Sequence, residues 1–148
     1  MSTKSKVKPI EILLVEDSPT DILMTREAFE QAGLLKRLHV VEDGAAALTF
    51  LRRQGQYATA PRPDLILLDL NLPKKSGQDV LAELKADQAL NAIPVIILTT
   101  SKANEDVLKS YGLHANGYIT KPIGFTDFVE TVQAIQNFWF NVVTLPPR

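Results

Sequence analysis

The chain has 148 residues, 45% of them hydrophobic and 22% charged, with a formal charge of −1 and no cysteine. That balance fits one soluble globular domain and gives no global electrostatic case for nucleic acid or an acidic membrane surface. The missing cysteines exclude a disulfide framework and a thiolate metal site, which fits a cytoplasmic protein.

Residues 1–9, MSTKSKVKP, carry basic side chains without an apolar core segment, so they read as a mobile tail and not as a signal peptide. No apolar stretch reaches membrane-spanning length, and no membrane partner is expected. Ile10 to Val15 is a first apolar strand, ending in Glu16-Asp17. Ser18, Pro19 and Asp21 form a helix start, with Asp21 completing an S-x-x-D capping box. The helix runs to Ala32, with Ile22, Leu23, Met24 and Phe29 available for burial, and Gly33 stops it. Leu38 to Val41 is a short second strand, and Asp43-Gly44 turns into a helix bearing Ala47, Leu48 and Leu51. Gly55 to Pro63 reads as an irregular loop.

Leu65 to Leu68 is an unbroken apolar run, the signature of a strand covered on both faces, and Asp69 follows at its C-terminal end. Pro73 and Gly77 fix the next loop, and Val80, Leu81 and Leu84 give the following helix its stripe. Val95 to Leu98 is a fourth strand, ending in Thr99-Thr100-Ser101. Lys102 to Gly112 is a weakly amphipathic helix, marginal or partner-facing, with Val107, Leu108 and Tyr111 as its apolar face. Gly117 to Thr120 is the last strand and ends in Lys121-Pro122. Phe125, Phe128, Val129, Val132, Ile135 and Trp139 then recur at helical spacing.

Strand and helix alternate five times, which argues an α/β fold: a doubly wound parallel sheet with helices on both faces. Every strand then delivers its C-terminal residue to one rim, where open sheets of this kind hold ligands. Glu16, Asp17 and Asp69 on that rim repel one another and resist ionising together. A hard divalent cation relieves the conflict, and Mg²⁺ takes one or two carboxylates and keeps several waters. Asp17 and Asp69 are the expected direct ligands, Glu16 acts through water, and the Asn71 backbone carbonyl is a further candidate. A pair of solvated acids capping the first helix would account for Glu16 and Asp17, but not for Asp69. Lys121 adds a fixed positive charge and Thr99 a hydroxyl. A metal, an ammonium and a hydroxyl around one carboxylate suit phosphoryl transfer to an Asp nucleophile.

The ordered set ED, D-x-N-x-P with Gly77 eight residues after Asp69, LTT and Y-x-x-KP resembles the receiver domains of two-component response regulators. The resemblance spans residues 10–138 and implies a flavodoxin-like five-stranded sheet of order 2-1-3-4-5 with five helices. It implies that Asp69 takes phosphate from a histidine kinase, with Mg²⁺ at Glu16, Asp17, Asp69 and Asn71 and with Lys121 pairing the phosphate. It further implies a cis bond before Pro122 and a switch pair, Thr99 and Tyr118. Phosphorylation would then reshape the surface of the fourth helix, fifth strand and fifth helix.

The segments NLPKKSGQDVLAELK and FWFNVVTLP resemble the small regulators paired with cyanobacterial phytochromes, which implies a phytochrome kinase as partner. Two positions depart from the common receiver pattern. Thr100 stands where many receivers carry Ala or Ser and is expected, with Asn71, to tune dephosphorylation. Ser76 replaces an acid common in that loop. Residues 139–148 form an apolar extension. With Tyr111, Phe125, Phe138, Trp139 and Phe140 it suggests a homodimer or partner surface. No DNA-binding domain is expected, so output would be protein contact. The competing readings are a degenerate receiver acting only as a binding module and an Asp-nucleophile phosphatase. The phosphatase would need a second acid where Asn71 stands. A flavodoxin-type cofactor binder is weaker still, because the first strand ends in acids.

Overall fold

The structure is a computed structural model. It describes residues 9–33, 35–100, 106, 108–109, 112–121 and 123–138, and the side chains of all of these except Phe138. Five parallel strands, β1 (Ile10–Val15), β2 (Lys36–Val41), β3 (Leu65–Asp69), β4 (Val95–Thr99) and β5 (Gly117–Thr120), form one sheet of order β2-β1-β3-β4-β5. The doubly wound topology expected from the sequence is therefore present. Three helices, α1 (Pro19–Ala32), α2 (Gly44–Leu51) and α3 (Gly77–Ala86), and a C-terminal helix, Phe125–Phe138, connect or follow them. Of the helix expected over residues 102–112, only Asp106, Leu108 and Lys109 are described as helical. Gly112 is a turn residue, and the remainder lies outside the described residues, as do Tyr111, Pro122, Trp139 and Phe140. No described helix is long and apolar enough to cross a membrane.

Strand alternation divides the interior into two cores. Leu13, Val15, Ile66, Leu68 and Ile97 face α2 and α3, where Ala47, Leu48, Leu51, Val80, Leu81 and Leu84 pack. Ile12, Leu14, Leu65, Leu67 and Leu98 face the other way, onto Ala28 and Phe29 of α1 and Phe128, Val129 and Val132 of the C-terminal helix. All five residues of β3 are buried, because it lies third in the sheet with a helix layer on each side. That is why its sequence shows no polar alternation.

Several local expectations need correction. Leu23 is 59% exposed and takes no part in the core. α1 buries Thr25, Ala28 and Phe29 instead. β2 begins at Lys36, two residues before the apolar segment, since an edge strand accepts polar residues where a central one does not. Asp43 is the N-cap of α2, accepting from Ala46 N–H at 2.7 Å, and not simply a turn residue. The Gly55–Pro63 loop includes a 3₁₀ turn, Gly55–Tyr57.

Candidate functional site

Parity along the strands decides what meets at the rim. Glu16 lies two residues beyond Leu14, Asp69 two beyond Leu67, and Lys121 two beyond Ile119. Leu14, Leu67 and Ile119 all belong to the core beneath α1 and the C-terminal helix. Period-two alternation therefore turns these three side chains toward the same side of the sheet edge. Thr99 follows the other parity, that of Ile97, and Tyr118 packs on the same core as Ile97, the one beneath α2 and α3. The proposed switch pair thus occupies one face and the charged cluster the other.

Asp69 is nearly buried and held at both oxygens. Asn71 N–H donates to Oδ1 at 3.0 Å, and Lys121 Nζ donates to Oδ2 at 3.3 Å. Lys121 also bonds Glu16 Oε1 at 2.9 Å and pairs with Asp21 Oδ2 at 2.8 Å. Its backbone N–H is anchored on the Thr99 carbonyl at 2.6 Å, which ties the end of β5 to the end of β4. Thr99 is fully buried and Thr100 is exposed. Beneath the ammonium lies a small cavity walled by Met24, Leu98, Ile119, Ile123 and Phe128.

Glu16 is 1% exposed, whereas Asp17 faces solvent. Burial, followed by the bond and charge of Asp69, pushes the Glu16 carboxyl up to about 7, against the opposing pull of Lys121. Burial also disfavours the charge on Lys121. The Asp21 and Glu16 bonds and the Asp69 charge outweigh it and hold the ammonium above the ordinary lysine range. Carboxylate oxygens of Glu16, Asp17 and Asp69 lie within 4.8 Å of one another. Three carboxylates, Glu16, Asp21 and Asp69, share the Lys121 ammonium, and Asp17 adds a fourth negative group beside them, so among the described residues the site is short of positive charge. An all-oxygen cluster of this kind fits a hard divalent cation.

The loop from Asp69 to Gly77 is held tightly. Gly77 N–H donates to Leu70 O at 3.1 Å, and Lys74 sits in the left-handed region at φ 67°. Two glycines permit the approach. A Cβ on Gly77 would come 2.3 Å from the Asp69 carbonyl oxygen, and one on Gly44 would come 2.0 Å from that of Lys75. In the sequence Gly77 marks a loop and one position of the receiver motif, and Gly44 a turn; neither reading anticipates these close approaches. The residue it misread most is Asp21. Ser18 Oγ does accept from Asp21 N–H at 3.3 Å, but Ser18 N–H donates to Glu16 Oε2 at 3.2 Å. The Asp21 carboxylate goes to Lys121, so only half of the expected capping box forms.

Tyr118 is half-buried, its hydroxyl accepting from Ala115 N–H at 3.3 Å and its ring 5.3 Å from Lys109 Nζ. Phe125 is exposed.

A doubly wound sheet that sets an oriented aspartate between an acid cluster and a lysine defines a receiver, a phosphoacceptor signalling domain. The chain belongs to the response regulator receiver domain family, whose model matches residues 12–133. It is 49% identical over 138 residues to response regulator Rcp1 of Synechocystis sp., covering 93% of this chain and 94% of that protein. The crystal structure of the phosphorylated cyanobacterial phytochrome response regulator RcpA superposes with a TM-score of 0.81 at 46% identity, covering 95% of this chain and all of that one. The Mn²⁺-bound form of Rcp1 superposes with a TM-score of 0.79 at 49% identity, covering 94% of this chain and all of that one.

Proposed function

We propose that this protein is a phosphorylation-dependent switch in which Asp69 accepts a phosphoryl group from a histidine kinase. The observation that carries the reading is the approach of Lys121 Nζ to Asp69 Oδ2, 3.3 Å, inside a cluster of carboxylates. In the transfer an Asp69 oxygen forms an O–P bond as the P–N bond of the donor phosphohistidine breaks, and the leaving imidazole takes a proton from solvent. Asn71 N–H on Oδ1 fixes which oxygen faces the donor, and Lys121 neutralises charge on the moving group. Thr99 supplies a hydroxyl to the product. Glu16, Asp17, Asp69 and the Asn71 carbonyl would hold Mg²⁺, which supplies positive charge to the phosphoryl oxygens when bound.

Asp69 phosphate would be lost slowly by self-catalysed hydrolysis, tuned by Asn71 and Thr100. Thr99 and Tyr118 would couple phosphorylation to the outer surface. The similarity to Rcp1 and RcpA supports a phytochrome kinase as donor, and a cytoplasmic setting belongs to the same reading. Homodimerisation through Tyr111, Phe125, Phe138, Trp139 and Phe140 belongs to the same reading. Size-exclusion with scattering tests it: truncation after Asn137 should yield monomer.

Incubation with acetyl phosphate and Mg²⁺, followed by intact mass, tests the central step. Wild type should gain one phosphoryl group and Asp69→Asn none. Equal modification of both would refute Asp69 as acceptor.

A further inference from the structure

Lys121 has three N–H donors, and three carboxylates occupy its surroundings: Asp21 at 2.8 Å, Glu16 at 2.9 Å and Asp69 at 3.3 Å. The shortest of the three is to Asp21, which is not among the residues assigned to the transfer. An arriving phosphoryl oxygen can reach the ammonium only if one carboxylate gives way. Asp69 remains beside the phosphoryl group because it carries it. Glu16 is almost fully enclosed and would be left as a buried charge stripped of its cation. Asp21 is different: its side chain is 32% exposed, and it can turn into water at small cost. It also stands in the first turn of α1, where its own N–H, not its carboxylate, is engaged by Ser18.

We infer that Asp21 is a positioning residue that restrains the Lys121 ammonium on the α1 side of the pocket and is displaced when a phosphoryl group arrives. The inference rests on the phosphoacceptor reading above. Asp21 then sets a threshold. It keeps the Lys121 ammonium ordered in the resting protein while competing with the phosphodonor for it.

The test is the rate of phosphorylation by acetyl phosphate in Mg²⁺, followed by intact mass, for wild type, Asp21→Asn, Asp21→Ser and Asp21→Glu. Asn and Ser should raise the second-order rate constant roughly two- to five-fold, the range of one partly exposed ion pair, through a lower half-saturating donor concentration. Glu, which keeps a carboxylate, should return the rate toward wild type. In a Lys121→Met background, substitution at 21 should leave the slow residual rate unchanged. A rate at or below wild type for both Asn and Ser, each with a wild-type urea midpoint, overturns the inference. So does a gain that persists without Lys121. Failure of wild type itself to take phosphate would strike the parent reading instead.

Discussion

Gly77→Ala probes how the acceptor loop is built. A Cβ at this position would lie 2.3 Å from the Asp69 carbonyl oxygen, 2.6 Å from the Leu70 Cα and 3.1 Å from the Asp69 carbonyl carbon. All three are backbone atoms, so no side-chain rotation relieves the contact. Either the start of α3 or the end of β3 must move by about 1 Å. Overpacking of this kind costs about 1–3 kcal/mol. Alanine recovers up to about 1 kcal/mol through its better helix propensity, leaving a net loss of about 0–2 kcal/mol when that recovery is complete. The shift also moves the segment that carries Asn71 N–H, 3.0 Å from Asp69 Oδ1. Misplacement of about 1 Å in reacting geometry can slow a reaction by roughly 100-fold. Urea unfolding gives the first number and acetyl phosphate labelling the second. Gly33→Ala is the control. Gly33 has φ 75° with nothing within 4 Å of a Cβ, so it should lose about 1–2 kcal/mol while labelling is unchanged. If Gly77→Ala stays within 0.5 kcal/mol of wild type, a threshold set by ordinary surface substitutions, and labels at the wild-type rate, the loop does not depend on this approach.

Two further outcomes follow from the charges. Glu16 is raised from 4.5 to about 7, so the folded state holds a proton that the unfolded chain releases, and metal-free stability falls as pH rises through that window. The Glu16 contribution is lost by about pH 7 and amounts to about 3 kcal/mol at most. Unfolding in EDTA at pH 5 and 8 should show a smaller change for Glu16→Gln than for wild type, and parallel changes would disprove the assignment. Mg²⁺ at ten times its dissociation constant should stabilise wild type by about 1.4 kcal/mol. Thermal melts of Asp17→Asn should lose most of that gain, and an unaltered gain would remove Asp17 from the cation site.

Much of this molecule is decided by short-range pattern. The apolar segments Ile12 to Val15, Leu65 to Leu68 and Val95 to Leu98 needed no context to be read as buried parallel strands, because nothing polar interrupts them. Alternating them with helices then dictated one functional rim, and Asp69 at the end of the most enclosed strand could hardly serve elsewhere. The helix start at Ser18 is legible for the same reason, since its oxygen accepts from Asp21 N–H within one turn, whereas the same role of Ser76 toward Asp79 N–H emerges only in the structure. Tertiary packing alone decided which acid Lys121 would hold and which would be buried. Asp21 and Lys121 are a hundred positions apart, and they meet because α1 and the C-terminal helix flank one face of the sheet. Likewise Leu23 and Phe29 look alike in sequence, yet one is exposed and the other fully enclosed, according to which side of α1 the sheet covers. Glu16 and Asp17 are neighbours whose burial differs as completely, because alternation past the strand end turns only Glu16 inward. Local periodicity specifies faces, but only the assembled layers specify what each face meets.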